Sequence, residues 1–298
     1  MVSICLNASN PAIASDDAKV SIAMGESHTV YVLADGTLWA FGKNDRGQLG
    51  DGTTVERRSP VPIGTANDWV AVAAGAAHTI ALKTNGTLWA WGDNQSFQTG
   101  HPLALWVADP IQVTIRPDTP TTVNNDWVSI AAGDYHNVAL RADGSLWVWG
   151  QNDFGQLGTS AEDTIETPTR FGSDNDWISV AAGGFHTLGL KVNGTLFAWG
   201  SNYWGQLGDG TTTQRSTPVQ VLIPGGGGLF DNDWVAIDAG GFHSLALKSN
   251  GTLWAWGENL SGQLGTFATD SCVLSNDCQK SPRRLGSTPS GLLSLIHI

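Results

Sequence analysis

Apolar and polar residues alternate along many short segments of the chain. In segment 88–91 (LWAW) the Leu and Ala fall on one face and the two Trp on the other, and a period of two residues is typical of a β-strand. Two further apolar segments precede it, at 69–75 and 78–83. An Asn-Gly pair at 85–86 separates the last two segments. We predict that this pair forms a type I′ hairpin turn with positive φ at both residues.

The same pattern of three strands occurs five times, at intervals of 50 to 58 residues. A fourth segment that begins with Pro, such as Pro60 to Ile63, suits an edge strand, where Pro is tolerated. Four antiparallel strands repeated in this way predict an all-β fold, a β-propeller with five four-stranded blades. Each repeat contains a Gly-x-x-His motif, and the repeated histidines are His28, His78, His136, His186 and His243.

The combined motif resembles a known repeat. The consensus W-V-x-V-A-A-G-x-x-H-T-x-A-L-x-x-(N/D)-G-T-L-W-x-W-G-x-N-x-x-G-Q-L-G is similar to the RCC1 repeat, named for the regulator of chromosome condensation. The resemblance covers residues 20–285 and implies an RCC1-like propeller. Family members usually have seven blades, so five repeats form either a closed ring or an incomplete one. Phe97 and Thr99 replace the Gly and Leu of the other copies, which leaves the conformation of that loop open.

Two segments flank the repeats. Residues 1–19 form an N-terminal segment with a further edge-strand candidate at Pro11 to Ala14. Residues 286–298 follow the last edge-strand candidate, Ser281 to Leu285, as a tail. The final residues, Leu293 to Ile298, resemble the translation of a transposase adaptor used in sequencing libraries. Our hypothesis is that this tail is an artefact and that the chain is a fragment.

Charge and composition exclude several partners. The formal net charge is −12, which opposes binding to nucleic acid or to anionic membranes. No apolar run reaches the roughly 18 residues of a membrane helix, so we expect no membrane insertion. Cys272 and Cys278 fit no zinc spacing, and they form either a small disulfide loop or two free thiols. We expect no metal and no cofactor.

The repeated histidines do not indicate catalysis. One histidine in each blade suggests a structural role, and we expect each ring to hydrogen-bond to the backbone of its own loop. The chain contains no HExxH zinc motif, no phosphate-binding loop and no G-x-S-x-G nucleophile turn. We therefore predict that the protein is not an enzyme.

Strand direction predicts which loops share a side of the propeller. The Gly-x-x-His loops and the Asn-x-x-Gly-Gln-Leu-Gly loops both fall on one side, called the top here, and the hairpin turns fall on the bottom. Rigid aromatic residues on a scaffold are typical anchors of protein interfaces. The alternatives are that each ring packs on its own loop or that the rings form a sugar-stacking platform. The aromatic residues at variable positions of the top loops are Tyr135, Phe154, Phe185, Tyr203, Trp204 and Phe242.

Two long linkers, 116–125 and 222–232, fall on the bottom and are interpreted as spacers. The Cys272 to Cys278 insertion precedes an edge strand and is assigned to the top.

These observations favour a protein-binding module with an unidentified protein partner. Low Lys content, acidity and loops rich in Gly and Thr suggest a bacterial surface or secreted multidomain protein, with the cytoplasm as the alternative location. Open blade edges also predict self-association. A structural spacer is a further alternative.

The resemblance implies a second activity, nucleotide exchange on a small GTPase. Family exchange factors carry acidic residues beside the repeated His. In this chain the residues that precede the five histidines are Ser27, Ala77, Tyr135, Phe185 and Phe242, so that feature is not present.

Overall fold

The computed structural model describes residues 20–102, 104–115, 125–159, 164–223, 231–266, 270–273 and 277–286. Within these ranges the secondary structure consists of β-strands and turns, without a helix. Twenty strands form five four-stranded antiparallel sheets, and each sheet uses four consecutive strands. The predicted all-β fold with five blades is confirmed. The N-terminal segment 1–19 with Pro11 to Ala14, linker residues 116–124 and 224–230, and tail residues 287–298 lie outside the described residues.

The strands of the five blades have the following bounds. Blade 1 contains β1 (Ser21–Met24), β2 (His28–Val32), β3 (Leu38–Gly42) and β4 (Arg57–Pro62). Blade 2 contains β5 (Trp69–Ala74), β6 (His78–Lys83), β7 (Leu88–Asp93) and β8 (Trp106–Gln112). Blade 3 contains β9 (Trp127–Ala132), β10 (His136–Arg141), β11 (Leu146–Gly150) and β12 (Ile165–Phe171). Blade 4 contains β13 (Trp177–Ala182), β14 (His186–Lys191), β15 (Leu196–Gly200) and β16 (Arg215–Gln220). Blade 5 contains β17 (Trp234–Ala239), β18 (His243–Lys248), β19 (Leu253–Glu258) and β20 (Cys278–Arg284).

The period of two residues gives each blade two different faces. In blade 2, Leu88 and Ala90 pack against blade 3, whereas Trp89 and Trp91 pack against blade 1. The other blade pairs repeat this arrangement, an aliphatic face against a face that carries Trp. Four hydrophobic clusters of this kind join successive blades, and burial of the apolar area is the main force that holds them together.

The hairpin turn differs from the predicted type I′. In blade 1, Gly36 N donates to Leu33 O at 2.9 Å and Leu33 N donates to Thr37 O at 2.9 Å. Gly36 has φ of 79°, whereas Asp35 does not have a positive φ. The loop is therefore a three-residue loop, a type I turn followed by a left-handed Gly. Asp35 instead stabilises the loop as an acceptor, since Oδ1 accepts from the Thr37 N–H at 3.0 Å.

Glycine is required in this turn for a second reason. A Cβ atom on Gly36 would lie 2.0 Å from the carbonyl oxygen of Asn67 in the next blade. Trp69 N also donates to Gly36 O at 3.1 Å. The bottom turn of one blade is thus part of the contact with the following blade.

The divergent loop of blade 2 keeps the conformation of the other copies. Ser96 N donates to Gln98 Oε1 at 2.8 Å and Thr99 N donates to Asn94 Oδ1 at 2.9 Å. In blade 1, the side chains of Gln48 and Asn44 accept the equivalent hydrogen bonds. To keep this loop conformation, Phe97 adopts a φ of 59°. This left-handed conformation costs a non-glycine residue roughly 1–2 kcal/mol.

A cation lies between two aromatic rings at the bottom of each of blades 2 to 5. Lys83 Nζ lies 4.7 Å from the ring centroid of Trp69, 5.1 Å from that of Trp89, and 2.8 Å from Asp68 Oδ1. These sites combine cation–π attraction with an ion pair, and the sequence analysis did not identify them. The cations of the other three sites are Arg141, Lys191 and Lys248.

The two outer faces of the arc of blades are partly exposed. On blade 1, Ile22 is 38% and Met24 is 37% exposed. On blade 5, Asp238 pairs across the sheet with Leu245. Blades 2 to 4 have Ala at the position of Asp238. Burial raises the pKa of Asp238 to about 6. The clusters of the described residues do not join blade 5 to blade 1.

We predict that the 298-residue protein self-associates through these faces, because exposed apolar sheet surface favours pairing. Met24→Lys should weaken the association, since it places a charge on the open face of blade 1. Asp238→Ala should strengthen it, since it removes a carboxyl group from the open face of blade 5. Light scattering over a range of protein concentrations measures both effects. Val192→Lys in a bottom turn is the control, and a monomer at all concentrations in all variants would contradict the prediction.

Candidate protein-binding surface

A repeated hydrogen-bond network fixes the position of the top loops. His28 Nε2 lies 3.0 Å from Thr79 Oγ1 in the next blade. Thr79 Oγ1 donates to the carbonyl oxygen of Gln48 at 2.9 Å, and Trp91 Nε1 donates to the same oxygen at 3.0 Å. The other three interfaces repeat this network through His78 with Asn137, His136 with Thr187, and His186 with Ser244.

This network determines the tautomer of the histidines. The Thr79 hydroxyl has one hydrogen, which it donates to Gln48, so it accepts from the Nε2–H group of His28. At the next interface Asn137 Oδ1 accepts from His78, and Asn137 Nδ2 donates to Gln98 O at 2.7 Å. The histidines are therefore neutral, with the hydrogen on Nε2. The Nδ1 atoms of His28, His78, His136 and His186 are buried and have no hydrogen-bond partner among the described residues.

The Gly of each Gly-x-x-His motif makes room for the ring. A Cβ atom on Gly25 would lie 2.2 Å from Cε1 and 2.4 Å from Nδ1 of His28. The structural role of the histidines stays a prediction. The predicted partner was wrong, because each of these four rings bonds to a side chain of the following blade and not to the backbone of its own loop.

Backbone hydrogen bonds join the Gly-x-x-His loops of successive blades. Glu26 N donates to Ala76 O at 3.3 Å, and Ala76 N donates to Asp134 O at 3.2 Å. The chain continues from Asp134 N to Gly184 O at 3.1 Å and from Gly184 N to Gly241 O at 3.0 Å. The five loops thus form one continuous rim, as expected if they share a side.

The Asn-x-x-Gly-Gln-Leu-Gly loops hold their shape through the repeated polar residues. In blade 3, Leu157 N donates to Asn152 Oδ1 and Phe154 N donates to Gln156 Oε1, both at 2.9 Å. Because the buried Asn and Gln satisfy the backbone, the variable positions of the loop are free to carry other side chains.

Five of the six predicted aromatic residues form one connected group. The ring centroid of Phe185 lies 5.9 Å from Tyr135, 5.1 Å from Phe154 and 6.3 Å from Phe242. Phe154 lies 6.2 Å from Tyr203. We call these five rings, which come from both loop types of blades 3 to 5, the aromatic rim.

The sixth residue, Trp204, differs from the aromatic rim in its exposure. Trp204 is 8% exposed, whereas its neighbour Tyr203 is 41% exposed. The other four rings are partly buried, because they pack on each other across blades. The side chain of Trp204 is therefore part of the packed loop, and the aromatic rim offers the accessible ring surface.

Two carboxyl groups lie beside the aromatic rim. Burial raises the pKa of Asp134, and the negative charge of Glu26 raises it further. Burial and the charges of Asp134, Glu26 and Asp93 raise the pKa of Tyr135. We call Glu26 and Asp134 the acidic pair. The top therefore combines aromatic rings with negative charge.

Cys272 and Cys278 lie at the top, as predicted for this insertion. Cys278 pairs with Glu258 at the end of β19, immediately before the Asn259 loop. The two cysteines form a disulfide with a Cα–Cα distance of 6.1 Å. Of the two alternatives that the sequence left open, the structure has the disulfide.

Two other kinds of site are absent from the described part of the chain. It contains no group of three or more His, Cys, Asp or Glu side chains that could hold a metal ion. No helix there is long and apolar enough to cross a membrane.

Comparison with protein families identifies the propeller. A family model described as the RCC1-like domain matches residues 7–292. The chain belongs to this family. Probable E3 ubiquitin-protein ligase HERC4 from Homo sapiens is 34% identical over 244 residues, which are 82% of this chain and 18% of that protein. Ultraviolet-B receptor UVR8 from Arabidopsis thaliana is 33% identical over 245 residues, 82% of this chain and 42% of that protein.

This RCC1-like chain spans less than half the length of these two relatives. Solved structures show the same fold. Prp20p from Saccharomyces cerevisiae has a TM-score of 0.74 at 24% identity, over 94% of this chain and 68% of that chain. Human WBSCR16 has a TM-score of 0.73 at 24% identity, over 88% of this chain and 66% of that chain. These relatives are eukaryotic, and none of them supports the expectation of a bacterial surface protein.

The interblade histidines predict a pH dependence of stability. Burial lowers the pKa of His78 to about 4 and of His28, His136 and His186 to about 3. An unfolded histidine has a pKa of about 6.5, so unfolding takes up protons below that pH. The stability is fully present above pH 6.5 and is lost as the pH falls from 6.5 towards 3 to 4.

We expect His136→Gln to reduce this dependence, because it removes one titrating group. The decrease in the free energy of unfolding between pH 7 and pH 5 should be smaller in the variant by about 2 kcal/mol. Urea unfolding at both pH values measures the difference. His101→Gln changes a histidine outside the interfaces and is the control. An equal decrease in wild type and His136→Gln would contradict the prediction.

Proposed function

We propose that this RCC1-like propeller is a non-catalytic module that binds another protein through its top surface. The observation that carries the proposal is the aromatic rim. Its five rings come from three blades and from both types of top loop, and they form a single connected group. A set of isolated rings, each packed on its own loop, would not extend across the blade boundaries in this way.

The composition of the rim supports a protein partner. Phe and Tyr bury a large apolar area with few rotatable bonds, so their immobilisation on binding costs little entropy. The repeated Asn, Gln and His side chains already hold the loops, and the turns do not need the rings. Rigid scaffold loops that carry aromatic residues are a common form of protein-binding surface.

Related propellers are consistent with a protein partner. The structure of Prp20p is described together with its binding to Gsp1p and histones. Nucleotide exchange on a small GTPase is the alternative function that the family suggests. The residues directly before the five histidines are Ser, Ala or aromatic, and no acidic residue stands there. We therefore favour binding without exchange.

The disulfide supports a proposal about location. Disulfides persist in oxidising compartments and are rare in the cytosol. We propose that the propeller resides outside the cytosol, as a secreted or surface-exposed module. Mass spectrometry of the protein isolated from its cells with alkylated thiols tests this, since free Cys272 and Cys278 thiols in all of the protein would contradict it.

Photo-crosslinking in the source cells tests the binding surface. The photoreactive residue p-benzoylphenylalanine replaces Tyr203 at the aromatic rim or Val192, which is 67% exposed in a bottom turn. We expect a specific protein crosslink from position 203 and not from position 192. Crosslinks from position 192 alone, or from neither position, would show that the top is not the binding surface.

Affinity for the partner identified in this way should depend on the rim. We expect Phe185→Ala to weaken binding about 30-fold, since an anchor residue contributes about 2 kcal/mol. Val192→Ala is the matched control and should leave the affinity unchanged. Melting temperatures of both variants separate a loss of binding from a loss of folding. Unchanged affinity in a folded Phe185→Ala variant would contradict the proposal.

A further inference from the structure

The disulfide lies at the start of the outer strand of blade 5. Cys278 is the first residue of β20 and is fully buried, whereas Cys272 is partly exposed. The connection from β19 to β20 is longer than the connection between the third and fourth strands of any other blade. A longer connection restrains its strand less. The disulfide is therefore a covalent restraint at the strand whose connection is longest.

Hydrogen bonds join the same two segments beside the disulfide. Asp270 N donates to Cys278 O at 3.2 Å, and Asp270 Oδ2 accepts from Lys280 N at 2.8 Å. Asp270 lies two residues before Cys272, so the disulfide keeps its carboxylate close to β20. Without the covalent bond, a few hydrogen bonds at the surface would hold the segment, and such contacts open readily.

The start of β20 also supports a top loop of blade 4. A Cβ atom on Gly205 would lie 2.6 Å from Cα of Lys280, so the backbone of this loop packs directly on the strand. Gly210 N donates to Lys280 O at 3.0 Å. Lys280 therefore contacts Asp270 through its N–H group and the blade 4 loop through its carbonyl group.

This blade 4 loop carries the exposed end of the aromatic rim. Tyr203 lies two residues before Gly205, and its ring lies 6.2 Å from that of Phe154. Contacts between neighbouring residues thus lead from the disulfide through β20 to Tyr203. A change at the start of β20 is transmitted to the rim by the backbone that both share.

The same contact between loop and strand occurs at another interface without a disulfide. Gly52 N donates to Ala108 O in β8 at 3.0 Å, and a Cβ atom on Gly47 would lie 2.7 Å from Cα of Ala108. The loop of blade 1 therefore rests on blade 2 as the loop of blade 4 rests on blade 5. It provides an internal control for any effect of the disulfide.

We propose that the Cys272–Cys278 disulfide is a redox switch of the aromatic rim. Reduction by a dithiol releases the start of β20, loosens the loop that carries Tyr203 and weakens binding of the protein partner. The proposal rests on the proposed function, since it names the regulation of the same surface.

The reduction is a thiol–disulfide exchange. A thiolate of the dithiol attacks the sulfur of the partly exposed Cys272, and the electron pair of the broken bond leaves with the sulfur of Cys278, which takes up a proton. The second thiolate of the reductant attacks the sulfur that the reductant has bonded to Cys272. This step closes a disulfide within the reductant and releases Cys272 as a thiol. Two electrons and two protons pass from the dithiol to the two cysteines.

Hydrogen exchange of the 298-residue protein, with and without dithiothreitol, measures the release of the loop. We expect the amide of Gly210 to exchange at least about tenfold faster in the reduced protein. The amide of Gly52 should change less than about twofold, because its loop rests on a strand without a disulfide. Mass spectrometry with fragmentation of the peptides resolves the two amides.

Cysteine variants assign the effect to this disulfide. Cys272→Ser with Cys278→Ser should show fast exchange at Gly210 without reductant, and dithiothreitol should not change it. Cys5→Ser keeps the disulfide and is the matched control, which should respond to dithiothreitol as the wild type does. Circular dichroism shows whether the variants are folded, and the comparison of oxidised with reduced wild type does not depend on them.

Photo-crosslinking from position 203 measures the effect on binding. In a protein with p-benzoylphenylalanine at this position, the yield of the specific crosslink should be at least about threefold lower with Cys272→Ser and Cys278→Ser than with Cys5→Ser. No reductant is needed for this comparison, so the partner is the same in both samples.

The outcomes distinguish the switch from the proposed function. Unchanged exchange at Gly210 on reduction, or equal increases at Gly210 and Gly52, would overturn the switch. Faster exchange at Gly210 with an equal crosslink yield in the two variants would overturn it as well. If the Cys5→Ser protein gives no specific crosslink from position 203, the rim does not bind the partner and both proposals are wrong.

Discussion

Each of the four interblade interfaces depends on a neutral histidine that donates its Nε2–H group to the following blade. The acceptor side chain in turn donates to the carbonyl group of a Gln in the top loop of the first blade. These two hydrogen bonds therefore connect two strands and one loop, and they fix the position of one blade relative to the next. Tyr135 and Phe185 come directly before two of these histidines, and Phe242 lies two residues before Ser244, which accepts the bond from His186. The same bond that positions the blades thus also brings the aromatic side chains to a common level.

Much of the fold could be predicted from the sequence, because a period of two residues and a repeated motif are local signals. The shared side of the two loop types followed from strand direction alone. The partner of each histidine did not, because it belongs to another blade. A signal was nevertheless present, since the residue after the histidine is Thr, Asn or Ser in every repeat. A small polar residue at that buried position has no use within its own strand.

Two other differences from the prediction also depend on more than the local sequence. An Asn-Gly or Asp-Gly pair suits both a type I′ turn and a type I turn followed by a left-handed Gly. The strand register decides between them, and the sequence does not fix that register. For the aromatic rim, the sequence identified the residues but not their exposure. Tyr203 and Trp204 are adjacent in the chain, and the direction of each side chain depends on the packing of the loop in three dimensions.

The two ends of the propeller use the same chemistry in different ways. At the bottom, the chain itself provides Lys83 and its three counterparts, and each of these four cations forms an ion pair with Asp beside aromatic rings. Those sites stabilise contacts within a blade and to its turn, and they are complete. At the top, the repeated residues complete the loops without using the aromatic rim or the acidic pair. We propose above that the rings bind a protein partner, and this difference between the two ends supports that proposal. Because the loops are already satisfied, substitutions at these variable positions change the binding surface while the bonds between blades stay intact.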